Sequence, residues 1–266
     1  MNILSANQVR DRFSRMSAAE DAILDLEVGQ RLLERLELVK INPQLIVDVD
    51  CGNGSHSRQL AARYAQACIF SVDGSLNMVR AVARKQSKLM SYFRPQKVLA
   101  GVADAGALPL GSESMDMVFA NLFLSWSDQP ELQMTEFMRV LKKNSLCVFS
   151  CYGPDSLQEL QEFGVNVPTF IDMHDLGDAA LAAGFSDPVM EMEKIFFTYS
   201  DVAKLCADLQ RSGLLSRADI ERIQGHPQAR LIDDFTLTIE VVYGHAWKPE
   251  LKSGVETFKG VKIQHL

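Results

Sequence analysis

The sequence is short of the features that mark membrane, metal and nucleic-acid proteins. No stretch approaches the ~18 consecutive apolar residues of a membrane-spanning helix, so no transmembrane segment is expected. The opening MNILSANQVRDRFSRMS has no basic stretch leading into an apolar run, and a secretory signal is not expected either. Cysteines are few and odd in number: Cys51, Cys68, Cys147, Cys151 and Cys206 show no paired spacing. Cys147 and Cys151 flank Val-Phe-Ser in an apolar run and read as buried thiols. The five histidines are scattered, without a His-x-x-x-His or Cys-His pair. A reducing cytoplasm and no bound metal are the expectation. Positive charge is also in deficit: 27 Lys and Arg against 34 Asp and Glu leave a net charge of -7. That sign repels polyphosphate, so nucleic acid is not expected as a partner. The densest basic cluster is Arg80, Arg84, Lys85, Lys88, Arg94 and Lys97. It has two readings, a solvated helix face or a docking face for an acidic partner.

What is present is apolar and periodic. With 266 residues, 47% of them hydrophobic, the chain can bury a sizeable core without disulfides or metals. Apolar residues recur at helical spacing through 8–39 and predict a short and then a long helix, broken at Asn42-Pro43. From 45 to 152, short Val-, Ile- and Phe-rich runs alternate with helix-like segments. Strands are predicted at 45–49, 68–73, 98–104, 115–121 and 146–151, and helices at 55–64, 75–88 and 130–141. Apolar strands separated by helices predict a parallel sheet covered on both faces. Right-handed crossovers then put the strand C-terminal ends along one edge. Further on, Ser156 and Glu159 are spaced as a capping box. A helix is expected at 172–183, a strand at 188–199, a helix to about 212 and a strand at 235–247, with the chain from Lys248 loosely held.

Polar residues stand at the ends of four successive strands. The first strand runs into Asp48-Val49-Asp50-Cys51-Gly52-Asn53-Gly54, a Gly-x-Gly at a helix start. Glycines there allow close backbone approach to a ligand. Ser57 holds the third position of the dinucleotide fingerprint, which argues against NAD and FAD. Asp73 ends the second strand, where an acid suits a ribose or caps a helix. Asp104-Ala105 follows the third strand and Asn121 the fourth. Phe123 and Trp126 line a substrate entrance or pack in the core. His174 reads as a helix-start residue rather than a base, since it has no partners in the sequence.

This run of strand ends resembles the class I S-adenosylmethionine-dependent methyltransferases. A narrower resemblance extends over nearly the whole chain. VRDRFSRMS, ANLFLSW, YGPDSLQEL, FIDMHDLGDAALAAGFSDPVMEME and IEVVYGHAW are similar to the malonyl-acyl-carrier-protein O-methyltransferases of biotin synthesis (the BioC family). They are similar too to mitochondrial complex I assembly factors associated with arginine hydroxylation. The resemblance implies a Rossmann-like α/β fold with a mostly parallel seven-stranded sheet, an antiparallel last strand, helices on both faces and a helical cap. It implies one domain over 1–266, with a cap at 1–42, a cofactor-binding core at 43–152, and a C-terminal half at 153–250 carrying a cap insertion at 200–232. It assigns S-adenosylmethionine to Asp48, Asp50, Cys51, Gly52, Gly54, Asp73, Asp104, Ala105 and Asn121. The implied partner is acyl carrier protein bearing a malonyl group. A malonyl carboxylate is already ionised at neutral pH, so no general base is expected and no catalytic residue is singled out. Arg12 and Arg15 are candidates to hold that carboxylate, or are solvated helix residues.

Two positions depart from the pattern. The related loop reads Asp-Leu-Gly-Cys-Gly-Thr-Gly, and its first glycine is Asp50 here. A tyrosine usual near the N-terminus is Glu20. A diverged non-catalytic relative and an assembly-factor-like modifier of protein arginine therefore stand as alternatives.

Overall fold

A computed structural model describes residues 21–85, 98–227, 229 and 234–250, with the backbone of 255–258 and 261–264. The elements in chain order are α1 (Ile23–Arg35), β1 (Leu45–Val49), α2 (Ser55–Arg63), β2 (Cys68–Asp73), α3 (Leu76–Lys85) and β3 (Val98–Val102). They continue with β4 (Met115–Ala120), α4 (Pro130–Val140), β5 (Leu141–Tyr152), α5 (Met173–Ala182), β6 (Ser186–Tyr199), α6 (Val202–Arg211), α7 (Arg217–Gly225) and β7 (Phe235–Trp247). Short 3-10 turns cover Phe123–Trp126 and Gln158–Phe163.

Seven strands form one sheet in the order β3-β2-β1-β4-β5-β7-β6. The pairs among β1 to β5 are parallel, and β7 runs antiparallel to both β5 and β6. This is the class I methyltransferase architecture with its antiparallel last strand. Strand alternation sorts the core into two layers. Ile46 of β1 packs with Leu60 of α2 and with Leu24, Val28 and Leu32 of α1 on one face. Val47 and Val49 pack with Met134 and Phe137 of α4 and with Leu176 and Ala180 of α5 on the other. Among the described residues, no helix is long and apolar enough to cross a membrane.

The chain departs from the sequence expectations in several places. Ser156 and Glu159 form no capping box. Tyr152 is the last residue of β5 to pair with β7, opposite Val241, which leaves the start of β7 open on that side. Ser156 Oγ donates to the Glu240 carbonyl and accepts from the Glu240 N–H, each at 3.0 Å. Glu159 Oε1 accepts from the Thr238 N–H at 3.2 Å. Unmet backbone groups on the strand edge have captured both side chains. The polar stretch after 213 contains α7, whose N-cap Ser216 accepts from the Asp219 N–H. Lys248 is firmly held: its Nζ donates to the Met138 and Leu141 carbonyls at 3.0 and 2.8 Å. Beyond it, β8 (Val255–Phe258) and β9 (Val261–Gln264) pair as an antiparallel hairpin. The first N-terminal helix, Arg12, Arg15, Glu20, Lys88, Arg94 and Lys97 lie outside the described residues.

Phe137 has no exposed surface and lies at the centre of the α4 layer. Phe137→Ala should lower stability by about 3–5 kcal/mol. In urea unfolding it should shift the midpoint at unchanged slope. A loss below about 1 kcal/mol would mean that α4 does not pack as described.

Candidate functional site

The site begins where the strand order reverses. β1 sends its connection to β2 on one side while β4 lies on the other, and ligands of open α/β sheets bind in the crevice this opens. The loop leaving β1 is a tight left-handed turn, with φ of 56° at Asp50, 55° at Gly52 and 79° at Gly54. That geometry explains a glycine at the first position in related loops. Asp is among the few other residues that tolerate it. Gly54 is required for packing as well: a Cβ there would lie 2.9 Å from Val82 of α3. The turn is pinned by Cys51 N–H donating to the Val72 carbonyl at 3.0 Å and Gly52 N–H donating to Asp73 Oδ2 at 2.9 Å.

Acids crowd this turn. Asp48 is 2% exposed and accepts from Ser57 Oγ at 2.5 Å, while Ser57 accepts from Ser71 Oγ at 2.8 Å. Burial pushes the Asp48 carboxyl up to about 7, against the opposing effect of the Ser57 hydroxyl. Asp73 also accepts from the Ser75 N–H, at 2.7 Å. Burial raises the carboxyls of Asp50 and Asp73 well above the ordinary carboxylate range, and the Asp50 charge adds to the rise at Asp73. Across the crevice Asp25 of α1 accepts from Tyr152 Oη at 3.1 Å, and burial pushes its carboxyl up to about 7.

Two cavities open around the turn. The first, about 850 Å³ with the solvent at its mouth included, lies between the turn, α1, Tyr152 and the C-terminal end of α6. The second, about 860 Å³ counted in the same way, lies between Val72–Ser75, Ala103–Ala105 and Phe123–Gln133. They share three lining residues, Asp50, Asp73 and Trp126. The Trp126 ring is fixed by edge contacts with Tyr152 and Phe170. Its short turn is anchored by Leu122 N–H donating to Ser150 Oγ and Tyr152 N–H donating to Ser125 Oγ.

Most of the residues predicted from sequence meet here. Asp48, Asp50, Cys51, Gly52, Asp73 and Asn121 line the first cavity. Asp104 and Ala105 line the second, with Asp50 and Asp73 again. Gly54 lines neither and serves packing. Asn121 has both ends of its amide engaged: Oδ1 accepts from Ser150 Oγ and Nδ2 donates to the Asp25 carbonyl. Phe123 lines the second cavity rather than the first, and its ring packs 6.2 Å from that of Phe137. His174 is exposed and bonds Asp172 beside the start of α5, away from both cavities. Sequence reasoning missed Asp21, Asp25, Tyr152, Arg211 and Ser212, all lining the first cavity. Only Tyr152 carried a signal, as the end of a strand on the same sheet edge.

The cavities fit an adenosylated amino acid by their own chemistry. Space above Gly52 is open for more than 4 Å, leaving bare backbone facing the first cavity. Asp73 keeps lone pairs beyond those taken by its two backbone donors, as a pair of hydroxyls would need. The second cavity combines apolar walls at Val72, Ala103 and Phe123 with the Asp104 carboxyl.

Comparison with known proteins agrees. Residues 47–149 match the family model described as a methyltransferase domain. The chain is 36% identical to the malonyl-[acyl-carrier protein] O-methyltransferase of Methylovorus sp. (strain MP688), over 94% of this chain and 91% of that one. It is 37% identical to the protein of that name from Gallionella capsiferriformans, over 93% and 92%. Among solved structures it is similar in fold to the YcgJ protein of Bacillus subtilis, with a TM-score of 0.62 at 12% identity, covering 83% of this chain and 99% of that one. Phosphoethanolamine N-methyltransferase 2 of Haemonchus contortus, solved with S-adenosylhomocysteine, gives a TM-score of 0.59 at 17% identity, covering 91% and 61%.

The raised carboxyls have a consequence for stability. Asp48 takes up its proton near pH 7 in the folded chain and near 4 when unfolded, so between those values the folded state binds more protons. Its contribution is therefore fully present below about pH 4 and is lost as pH rises through about 7. Asp48→Asn keeps the acceptor for Ser57 and removes the titration. Its urea midpoint should fall less between pH 5.5 and pH 8 than that of wild type, and at pH 8 it should be the more stable chain by up to a few kcal/mol. Equal pH slopes would show that Asp48 ionises normally.

Proposed function

The chain belongs to the malonyl-[acyl-carrier protein] O-methyltransferase family, and from that premise we propose that it esterifies the free carboxylate of a malonyl group carried on acyl carrier protein, in the cytoplasm, as a step of biotin synthesis. It is an S-adenosylmethionine-dependent methyltransferase. The observation that carries the substrate reading is the first cavity. It is walled by acids, roofed by α1, and has Arg211 as its one Lys or Arg among the described residues. The cofactor supplies a methyl group on a positively charged sulfur. Gly52, Asp50 and Asp73 hold its amino-acid and ribose portions, while Asp104 and Ala105 meet its base.

The acceptor needs no base, because a malonyl carboxylate is ionised at neutral pH. What the protein must do is orient one carboxylate oxygen and strip it of water. Trp126 and Tyr152 give the cavity aromatic walls that exclude solvent. Arg211, at the end of α6, is the cation that receives the substrate carboxylate. Asn121 holds α1 in register above the strand ends through the Asp25 carbonyl. The exchange is balanced: a C–O bond forms, a C–S bond breaks, and the sulfur leaves neutral. Nothing in this role calls for nucleic acid or a membrane.

Purified protein, S-adenosylmethionine and malonyl-acyl carrier protein should yield S-adenosylhomocysteine and an acyl carrier protein heavier by one methyl group. Acetyl-acyl carrier protein, which lacks the free carboxylate, should yield neither. Arg211→Ala should raise KM for malonyl-acyl carrier protein by about tenfold or more, the scale of a lost charged hydrogen bond. No product at saturating cofactor would end this reading, and an unchanged KM would remove Arg211 from it.

A further inference from the structure

Asp50 is a costly residue where it stands. Its backbone is left-handed, which a glycine would adopt freely. Its carboxyl lies against that of Asp73, so one of the two must keep a proton or both must repel. Among the described residues, burial and Asp73 are the influences on this carboxyl, and no cation figures among them. The other charged groups around it deepen the imbalance. Asp48 on β1, Asp25 on α1 and Asp21 before it add negative charge, against Arg211 on α6. Burial lowers the pKa of His56 on α2, which keeps that ring neutral. Among the described residues, burial is the largest influence on this carboxyl and opposes its charge.

Position supplies the reason. Asp50 is one of three residues that line both cavities, with Asp73 and Trp126. A ligand that fills both, nucleoside in one and amino acid in the other, has its joint at these three walls. In S-adenosylmethionine that joint is the sulfonium, a permanent cation. In S-adenosylhomocysteine it is an uncharged thioether, and the two molecules are otherwise alike. A carboxylate and an aromatic face at the joint both favour the cation.

We propose that Asp50 is a specificity residue that makes this pocket select the sulfonium cofactor over its thioether product. The inference rests on the cofactor assignment above and deepens it. It does not depend on which acceptor is methylated. A cation at the joint favours the ionised form of the carboxyls beside it, so sulfonium binding releases more proton than thioether binding. Product then leaves a site whose carboxylate has lost its counter-charge.

Calorimetric titration of the full chain with each ligand tests this without turnover. Asp50→Asn keeps shape and tolerates the left-handed turn, and Asp50→Gly restores the loop of the relatives. Thermal melting of each variant establishes folding. In both variants the affinity ratio of S-adenosylmethionine to S-adenosylhomocysteine should fall by about tenfold, the scale of one partly screened ion pair. Titration in buffers of different ionisation enthalpy should show more proton released by the sulfonium than by the thioether from wild type, and a smaller difference in the variants. A parallel loss for both ligands would make Asp50 merely structural and overturn the proposal. Tighter S-adenosylmethionine binding in either variant would make Asp50 an obstruction and overturn it equally. If no protein binds either ligand, the cofactor assignment falls and takes this inference with it. Failure of the malonyl assay alone, with the selectivity intact, overturns only the acceptor.

Discussion

Four aspartates beside one another at the ends of β1 and β2 and beneath α1 set the terms for the rest of this structure. Like charges so close cannot all ionise. The fold meets the problem with donors and with protons. Asp48 accepts from Ser57, Asp73 from two backbone N–H groups and Asp25 from Tyr152, while burial raises the carboxyls of Asp50 and Asp73 toward the protonated form. The left-handed turn is what makes this arrangement possible. Three residues with positive φ between 50 and 54 double the chain back. The Gly52 N–H then reaches Asp73 on the neighbouring strand, and Gly54 opens α2 against α3.

The roof of the crevice is tied down by polar groups rather than sealed by apolar ones. Tyr152 at the end of β5 reaches up to Asp25, and Asn121 at the end of β4 donates to the backbone of the same residue. At the start of α1, the Ile23 N–H donates to Asp208 of α6, whose other carboxyl oxygen accepts from Tyr199. Ser55 on α2 donates to Asp21. Several of these groups are buried, Tyr152, Tyr199 and Asp208 among them, so a broken tether would leave a donor or acceptor unmet. The apolar face of α1 at Leu24, Val28 and Leu32 packs into the core beneath it.

Most of the architecture was legible because a parallel sheet buried on both faces must be written in short apolar runs. β1 and β2 fell on the residues expected, and the long β7 did too. Asp73, Asp104 and Asn121 were legible for a related reason, since parallel strands deliver their ends to one edge. What sequence spacing missed was set by long-range contacts. Ser156 and Glu159 have the spacing of a helix cap, but an open edge of β7 competes for them and wins. Lys248 follows a strand in an unpatterned tail, yet two carbonyls at the α4–β5 junction hold its ammonium. Gly54 belongs to a ligand-binding motif by spacing and to the α2–α3 contact by geometry. Asp21, Asp25, Arg211 and Ser212 come from segments distant in sequence and unremarkable in composition. Only the packing of α1 and α6 over the strand ends brings them to the cavity.

An acid-rich cavity is in tension with the carboxylate substrate proposed for it, and the burial that creates the tension also relieves it. A carboxyl raised to about 7, as at Asp25 and Asp48, is protonated for part of the time at neutral pH. A protonated carboxyl does not repel an anion. The same burial keeps the effective dielectric low, so a cation among these groups acts on them strongly. On the proposed assignment a sulfonium at the joint of the two cavities supplies one such charge, and Arg211, which lines the first cavity, supplies another. The acids therefore oppose the substrate least when the cofactor is in place, which is the only state in which the substrate is of use.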